Sequence, residues 1–146
     1  MKYMVDTCII NRLVDGLLST SDLPSEGEYM ATHVQMDELK RTSDLSRRVS
    51  LLQKFTTLVD DMVPTASTVL GVSKVGQCKL SDGNLCETLR AELDKRNKGK
   101  KNNIQDALIA EVAIQRGWTL LTTDNDLAKV ALKNGCRVQD PLARSL

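Results

Sequence analysis

The sequence predicts an α/β fold, a three-layer sandwich in which a parallel sheet of four to five strands carries helices on both faces. Short apolar runs alternate with longer segments whose apolar residues recur every three or four positions, a pattern typical of strands separated by helices. The chain has 146 residues, the usual size of one domain, and no linker, repeat or low-complexity tract divides it. We therefore expect one domain over residues 1–146.

The first half of the chain predicts three strands and three helices. Apolar residues at helical spacing follow the first strand, and Thr32 with Gln35 resembles a capping box that begins the second helix. Pro64 ends the third strand. The expected elements are a strand at Lys2–Val5, a helix over Thr7–Leu18, a strand at Glu28–Thr32, a helix carrying Glu38, a helix over Asp44–Asp60 with Leu45, Val49, Leu52, Phe55 or Thr56, and Val59 on its apolar side, and a strand at Met62–Val63.

The second half predicts further helices and two more strands. Gly117 supplies the left-handed residue that commonly follows a helix, and Asn134 with Gly135 marks another helix end. The expected elements are a helix at Ala66–Val75 weakened by Gly71, a loop at Gly76–Gly83, helices over Asn84–Arg96 and Asn102–Arg116, a strand at Trp118–Thr122, a helix over Asp126–Lys133 and a strand at Cys136–Val138.

Composition excludes several classes of protein. Aromatic residues make up only 3% of the chain, too few for a nucleic-acid reader built on stacked rings. The four cysteines are scattered without a C-x-x-C pair, so a zinc site is not expected and the thiols should be reduced and mostly buried. The single histidine, His33, is expected to have a surface or capping role. No apolar run reaches the roughly 20 residues of a membrane span, and Asp6 comes too early for a signal peptide, so we expect a cytoplasmic protein.

Four acidic residues lie where a parallel α/β sheet carries its functional groups. Asp6 directly follows the first strand, Glu38 lies just inside the helix after the second, and Asp124 follows the strand Trp118–Thr122. Asp106 lies in the first turns of the helix that leads into that strand. Because functional residues collect beyond the carboxyl ends of such strands, we expect these acids to meet there, and Asp126 could join them.

Clustered carboxylates repel one another, and a divalent cation relieves that repulsion. Hard oxygen ligands suit Mg²⁺ or Mn²⁺, and such centres activate water and stabilise charge on a phosphodiester. Each acid also has a structural explanation: Asp124 could cap the next helix, Asp106 could be the third residue of a helix capped by Asn103, and Glu38 could be a solvated helix charge. Only Asp6, flanked by apolar residues, is costly to bury without a partner.

Two clusters of basic residues could bind nucleic-acid phosphates or could simply be solvated. The first precedes Asp106 and contains Lys98, Lys100 and Lys101, which are the candidate RNA contacts. The second consists of Lys40, Arg41, Arg47 and Arg48.

Four stretches of the chain carry the acids and their neighbours: Met4-Val5-Asp6-Thr7, Met36-Asp37-Glu38-Leu39, Asp106-Ala107-Leu108-Ile109-Ala110 and the run from Gly117 to Leu127. In order and spacing they resemble PIN-domain proteins, in particular the compact VapC-type toxins. The third and fourth stretches together, separated by a short helix, are the most specific part of this resemblance.

The resemblance implies a Rossmann-like sheet and a metal-dependent endoribonuclease, the toxin of a type II toxin–antitoxin pair. It assigns Asp6, Glu38, Asp106 and Asp124 to one or two Mg²⁺ or Mn²⁺ ions, with Asp126 as an accessory ligand. Thr122 matches a hydroxyl residue that orients a carboxylate or water. Relatives are usually homodimers held inactive by a small antitoxin and act on tRNA, rRNA or mRNA. The chain departs from the family at Cys8, where an amide or hydroxyl is common and where a thiol is not expected to orient a carboxylate as an amide would.

Other classes of function remain open from the sequence. One is a non-catalytic PIN-like scaffold that binds RNA or protein. Another is a receiver-like module phosphorylated on Asp6 or Asp124, although the usual acidic pair is missing. A dehalogenase-type phosphatase needs Asp-x-Asp, and Asp6-Thr7-Cys8 lacks the second acid.

Overall fold

A computed structural model describes residues 1–67 and 84–143, and within them it contains a five-stranded parallel sheet in the order β3-β2-β1-β4-β5. This architecture confirms the predicted α/β fold. The strands are β1 (Lys2–Val5), β2 (Glu28–Ala31), β3 (Asp61–Met62), β4 (Thr119–Leu121) and β5 (Arg137–Gln139). The helices are α1 (Thr7–Val14), α2 (His33–Lys40), α3 (Leu45–Leu58), α4 (Asn84–Asn97), α5 (Asn103–Arg116) and α6 (Asn125–Lys133), with a 3₁₀ turn at Thr20–Asp22.

Two apolar layers cover the two faces of the sheet. Successive side chains of a strand point to opposite faces, so Met4 packs in one layer while Tyr3 and Val5 pack in the other. The first layer also takes apolar residues of α4, α5 and α6, and the second takes those of α1 and α3. Both faces of β1 and β4 are therefore buried, as central parallel strands require.

The central pairing brings the ends of β1 and β4 together. Val5 is the register partner of Leu121, and the backbone N–H of Asp6 donates to the carbonyl of Leu121 at 3.0 Å. The residues that follow these two strands consequently emerge side by side at the carboxyl end of the sheet.

Helix starts and stops follow the predicted signals closely in most places. Thr32 and Gln35 form a capping box at the start of α2, and Gly117 ends α5 in the left-handed conformation with φ of 68°. Helix α1 is shorter than predicted, because Asp15 caps it and Gly16 turns the chain with φ of 74°.

The buried face of α3 agrees with the predicted one only in part. The helix buries Leu51 and Phe55, whereas Leu45 and Val49 are exposed by 64% and 46%. Its sequence offers two overlapping apolar stripes, and packing against α1 and α2 selects the one through Leu51 and Phe55. The predicted side is therefore confirmed at Leu52, Phe55 and Val59, which pack in the second layer, and wrong at Leu45 and Val49.

Parts of the prediction lie outside the described residues. These are the helix at Ala66–Val75, of which only Ala66 and Ser67 are described, and the loop at Gly76–Gly83. None of the described helices is both long and apolar enough to cross a membrane.

Candidate active site

The four predicted acids meet in one open cleft at the carboxyl end of the sheet. The cleft has a volume of about 460 Å³, and Asp6, Glu38, Asp106 and Asp124 line it. The ends of β1 and β4 supply Asp6 and Asp124, while α2 and α5 supply Glu38 and Asp106. We call this the acidic cleft.

Burial and mutual repulsion make the carboxylates of the acidic cleft hard to ionise together. Asp6 and Asp106 are exposed by only 4% and 6%. Burial raises the pKa of Asp6 above its ordinary value. Burial, followed by the negative charges of Asp6, Glu38 and Asp124, raises the pKa of Asp106 strongly. Burial and the charge of Asp6 raise the pKa of Glu38 to about 7. A positive charge in the cleft would favour the ionised form of all of them.

Hydroxyl groups hold two of these carboxylates in place. Thr122 Oγ1 donates to Asp6 Oδ2 at 2.7 Å and accepts from the backbone N–H of Asp124 at 3.0 Å. Thr7 Oγ1 donates to Glu38 Oε2 at 3.1 Å. The other oxygen of Glu38, Oε1, is buried and accepts no hydrogen bond from the described part of the chain.

Cys8 contacts Asp6, contrary to the expectation that a thiol would not orient this carboxylate. Its Sγ donates to Asp6 Oδ2 at 3.2 Å. Burial, together with the charge of Asp6, raises the pKa of Cys8 to about 12, so the thiol keeps its proton at neutral pH. The Cys8 thiol therefore acts as a second donor beside Thr122.

Asp124 both caps a helix and lines the acidic cleft. Its Oδ1 accepts from the backbone N–H groups of Asp126 and Leu127 at 2.9 and 3.1 Å, so the structural explanation of this residue holds alongside its place in the cleft. Asp126, the predicted accessory ligand, is not among the described residues that line the cleft.

Asp106 lies in the first turn of α5, one position further along the helix than predicted. Asn102, rather than Asn103, is the N-cap of α5, so Asp106 is the fourth helical residue and its backbone N–H donates to the carbonyl of Asn102. The predicted Asn103 cap was wrong, but the explanation of Asp106 as an acid in a helix's first turn holds alongside its place in the cleft.

Of the three candidate RNA-contacting lysines, only Lys100 lines the acidic cleft. Its Nζ lies 3.8 Å from Asp124 Oδ2. Lys98 and Lys101 are exposed outside the residues described as lining it. In the second basic group, Arg47 pairs with Asp15 and donates to Asn11 Oδ1 at 2.8 Å.

The sequence did not single out Arg12, Asn11 or Asn102, which also line the cleft. Arg12 Nε donates to Thr123 Oγ1 at 2.9 Å. The helical spacing of Cys8, Asn11 and Arg12 along α1 could have indicated a shared face, but nothing in the sequence linked that face to Thr123. His33 is only 3% exposed, so the expected surface position was wrong.

The arrangement suits a hydrated cation better than one bound by every carboxylate directly. Among the described residues, no group of three or more His, Cys, Asp or Glu side chains is positioned to hold a metal ion. Mg²⁺ usually keeps several waters and takes one or two carboxylates directly. The buried, mutually repelling carboxylates and the hydrogen-bond acceptor left open on Glu38 fit such an ion.

Comparison with known proteins agrees with the fold. The PIN domain family model matches residues 78–133, a range that contains Asp106, Asp124 and Asp126. The structure of VapBC-1 from nontypeable Haemophilus influenzae is similar over 98% of this chain and 100% of that chain, with a TM-score of 0.58 and 17% identity. VapBC2 from Rickettsia felis, bound to a DNA fragment from its promoter, is similar over 96% and 98%, with a TM-score of 0.55 and 16% identity.

A domain of a functionally unknown protein from Methanocaldococcus jannaschii DSM 2661 is similar over 99% of this chain and 94% of that chain, with a TM-score of 0.53 and 18% identity. No curated protein is significantly similar to the chain in sequence.

The fold and the family match define a PIN-like α/β protein. The predicted resemblance to PIN-domain proteins is confirmed, and the resemblance to VapC-type proteins is confirmed at the level of the fold.

Proposed function

We propose that this protein is an endoribonuclease that depends on Mg²⁺ or Mn²⁺ and serves as the toxin of a type II toxin–antitoxin pair. One observation carries the proposal: four carboxylates from β1, α2, α5 and the end of β4 converge in one cleft, although burial and the charges of neighbouring carboxylates raise the pKa values of Asp6, Glu38 and Asp106. Carboxyl groups whose pKa values are raised by burial and by neighbouring charges, and which share a cleft, are characteristic of functional sites.

Asp6, Glu38, Asp106 and Asp124 would hold the cation, in part through water. A divalent cation bound there would supply Lewis acidity, which activates water and stabilises the charge that develops on a phosphodiester. Thr122 and Cys8 donate hydrogen bonds to the carboxylate of Asp6, and Thr7 donates one to that of Glu38. Asp126 is a weaker candidate for an accessory role, because it lies outside the described lining of the cleft.

Lys100 and Arg12 are the cations best placed to contact the RNA backbone. Both line the acidic cleft and carry charge opposite to that of phosphate. Lys98 and Lys101 lie on either side of Lys100 in the segment between α4 and α5 and would add a weaker electrostatic attraction.

The likeness in fold to VapBC structures supports a small antitoxin as a partner. The proposal also includes a homodimer as the assembly. In this proposal the antitoxin covers the acidic cleft and the protein acts in the cytoplasm.

The test is cleavage of total RNA by the purified protein with Mg²⁺ or Mn²⁺, with EDTA, and with the Asp106→Asn variant. Discrete cuts that need the metal and disappear in the variant are expected. A matched control is Asp61→Asn, because Asp61 is an exposed residue of β3 whose Oδ1 accepts from the Met62 N–H, a contact the amide retains. The control should cut like the wild type.

Absence of cleavage by folded protein freed of any co-purified inhibitor would favour the non-catalytic scaffold instead. Circular dichroism establishes folding, and denaturing purification followed by refolding removes a bound inhibitor. Cleavage that survives both EDTA and Asp106→Asn would contradict the metal-dependent mechanism.

A further inference from the structure

A chain of hydrogen bonds runs from the edge of the acidic cleft to Asp6. Arg12 Nε donates to Thr123 Oγ1 at 2.9 Å, and Thr123 Oγ1 donates to Cys8 Sγ at 3.3 Å. Cys8 Sγ in turn donates to Asp6 Oδ2 at 3.2 Å. Each hydroxyl or thiol proton is used once, so all three bonds can exist together.

Cys8 is fixed from more than one direction. The backbone N–H of Thr123 also donates to its sulfur, at 3.4 Å, and Thr122 Oγ1 lies 3.6 Å away. Cys8 lies in the first turn of α1, whereas Thr122 and Thr123 follow β4. The thiol therefore ties the start of α1 to the end of β4 at the point where Asp6 and Asp124 emerge.

The two donors to Asp6 both reach the same oxygen. Thr122 and Cys8 contact Oδ2 at 2.7 and 3.2 Å. Two donors on one oxygen define the plane of a carboxylate and so define where its other oxygen lies. Residues that orient a metal-binding carboxylate in this way affect metal affinity without touching the metal.

We propose that Cys8, held by Thr123, is a positioning residue that orients the Asp6 carboxylate for the divalent cation. This inference rests on the proposed metal-dependent function. It assigns a role to the residue at which the chain departs from the PIN-domain pattern.

The test is a titration of Mn²⁺ into the purified protein, followed by electron paramagnetic resonance of the free ion, which needs no substrate. Cys8→Ala removes the donor and should weaken Mn²⁺ binding about tenfold. Cys8→Ser restores a donor of similar shape and should bind within about twofold of the wild type, because the hydroxyl can replace the thiol bond. Cys136→Ala is the matched control, because its thiol is buried and lies 3.2 Å from the backbone carbonyl oxygen of Arg137 and 3.6 Å from that of Trp118, not near Asp6.

The rate of RNA cleavage gives a second measure of the defect in Mn²⁺ binding. Saturating Mn²⁺ should restore part of the lost rate in Cys8→Ala, because the defect lies in metal binding. Should Cys8→Ala fail to fold, Thr123→Val takes its place, since it removes the hydroxyl that holds the thiol while keeping the shape of the side chain. Weaker Mn²⁺ binding by folded Thr123→Val supports the proposal.

Three results would overturn it. The first is a folded Cys8→Ala protein that binds Mn²⁺ as tightly as the wild type, even if its melting temperature is lower. Where Cys8→Ala does not fold, the same result in Thr123→Val counts instead. Another is an affinity of Cys8→Ser as low as that of Cys8→Ala, since the donor would then be irrelevant. A wild-type protein that binds no Mn²⁺ would overturn the proposed function together with this inference, whereas failure of the Cys8 variants alone would leave the nuclease intact.

Discussion

The hydroxyl of Thr122 joins Asp6 to Asp124: it donates to Asp6 Oδ2 at 2.7 Å and accepts from the Asp124 backbone N–H at 3.0 Å. The pairing of β1 with β4 places the three residues together, since Val5 and Leu121 are register partners directly before them. Two acids that are 118 positions apart in the chain thus owe their spacing to one strand pair. Changes that keep this pairing can test the carboxylates separately from the fold.

Two substitutions of Asp124 separate its role as the cap of α6 from its role in the acidic cleft. Its Oδ1 caps α6 by accepting from Asp126 and Leu127, and an asparagine at an N-cap accepts equally well. Asp124→Asn should therefore abolish RNA cleavage with little change in melting temperature. Asp124→Ala should lose cleavage and also about 1 kcal/mol of stability. Thermal melts and cleavage assays of both variants decide this, and an active Asp124→Asn protein would remove Asp124 from the catalytic set.

The sheet and the four acids could be predicted because they depend on local patterns and on a general rule. Periodicity gave the strands and helices, and parallel α/β sheets collect functional groups beyond their strand ends. The contacts of Arg12 with Thr123 and of Cys8 with Asp6 could not be predicted in the same way. They depend on the angle between α1 and the end of β4, which only tertiary packing sets, and the same holds for the buried face of α3.

Metal-free protein should lose stability as the pH rises, because the pKa of Glu38 is raised from 4.5 to about 7 by burial and by the charge of Asp6. Between these values the unfolded chain has released the proton and the folded protein keeps it, so the folded state binds more protons and its stability falls with increasing pH. The melting temperature without metal should therefore decline from about pH 5 to about pH 8. Mg²⁺ or Mn²⁺ should raise it more at the higher pH.

Glu38→Gln separates this effect from the other titrating groups. The amide carries no charge, so the decline with pH should become shallower and the variant should be more stable than the wild type at the higher pH without metal. Differential scanning calorimetry at several pH values measures both. Equal slopes in the variant and the wild type would mean that Glu38 is ionised normally in the folded protein.

Lys100 should compete with the cation while assisting the substrate. Its ammonium group lies 3.8 Å from Asp124 Oδ2 and lowers the cost of ionising Glu38 and Asp106. The side chain is 53% exposed, so solvent screens the effect to roughly 0.5 kcal/mol. Lys100→Gln should bind Mn²⁺ about twofold more tightly yet bind RNA more weakly.

Lys101→Gln is the matched control for Lys100, because it removes the same charge from the next position, outside the described lining of the cleft. It should leave Mn²⁺ affinity unchanged. Equal Mn²⁺ affinities for the two variants would contradict a direct effect of Lys100 on the acids.

Arg12 has a positive charge and a hydrogen bond to Thr123, and different substitutions can remove one without the other. If the charge contacts an RNA phosphate, Arg12→Gln should raise KM and reduce the slope of log KM against log salt concentration by about one. Arg12→Lys keeps the charge and should keep the wild-type slope, while losing the Nε bond to Thr123. Arg116→Gln serves as the control, because Arg116 lies over the Trp118 ring, 5.1 Å from its centroid, and not among the described residues of the acidic cleft. A salt dependence that is the same in Arg12→Gln and the wild type would exclude a phosphate contact, and any remaining loss of activity would then come from the hydrogen bond alone.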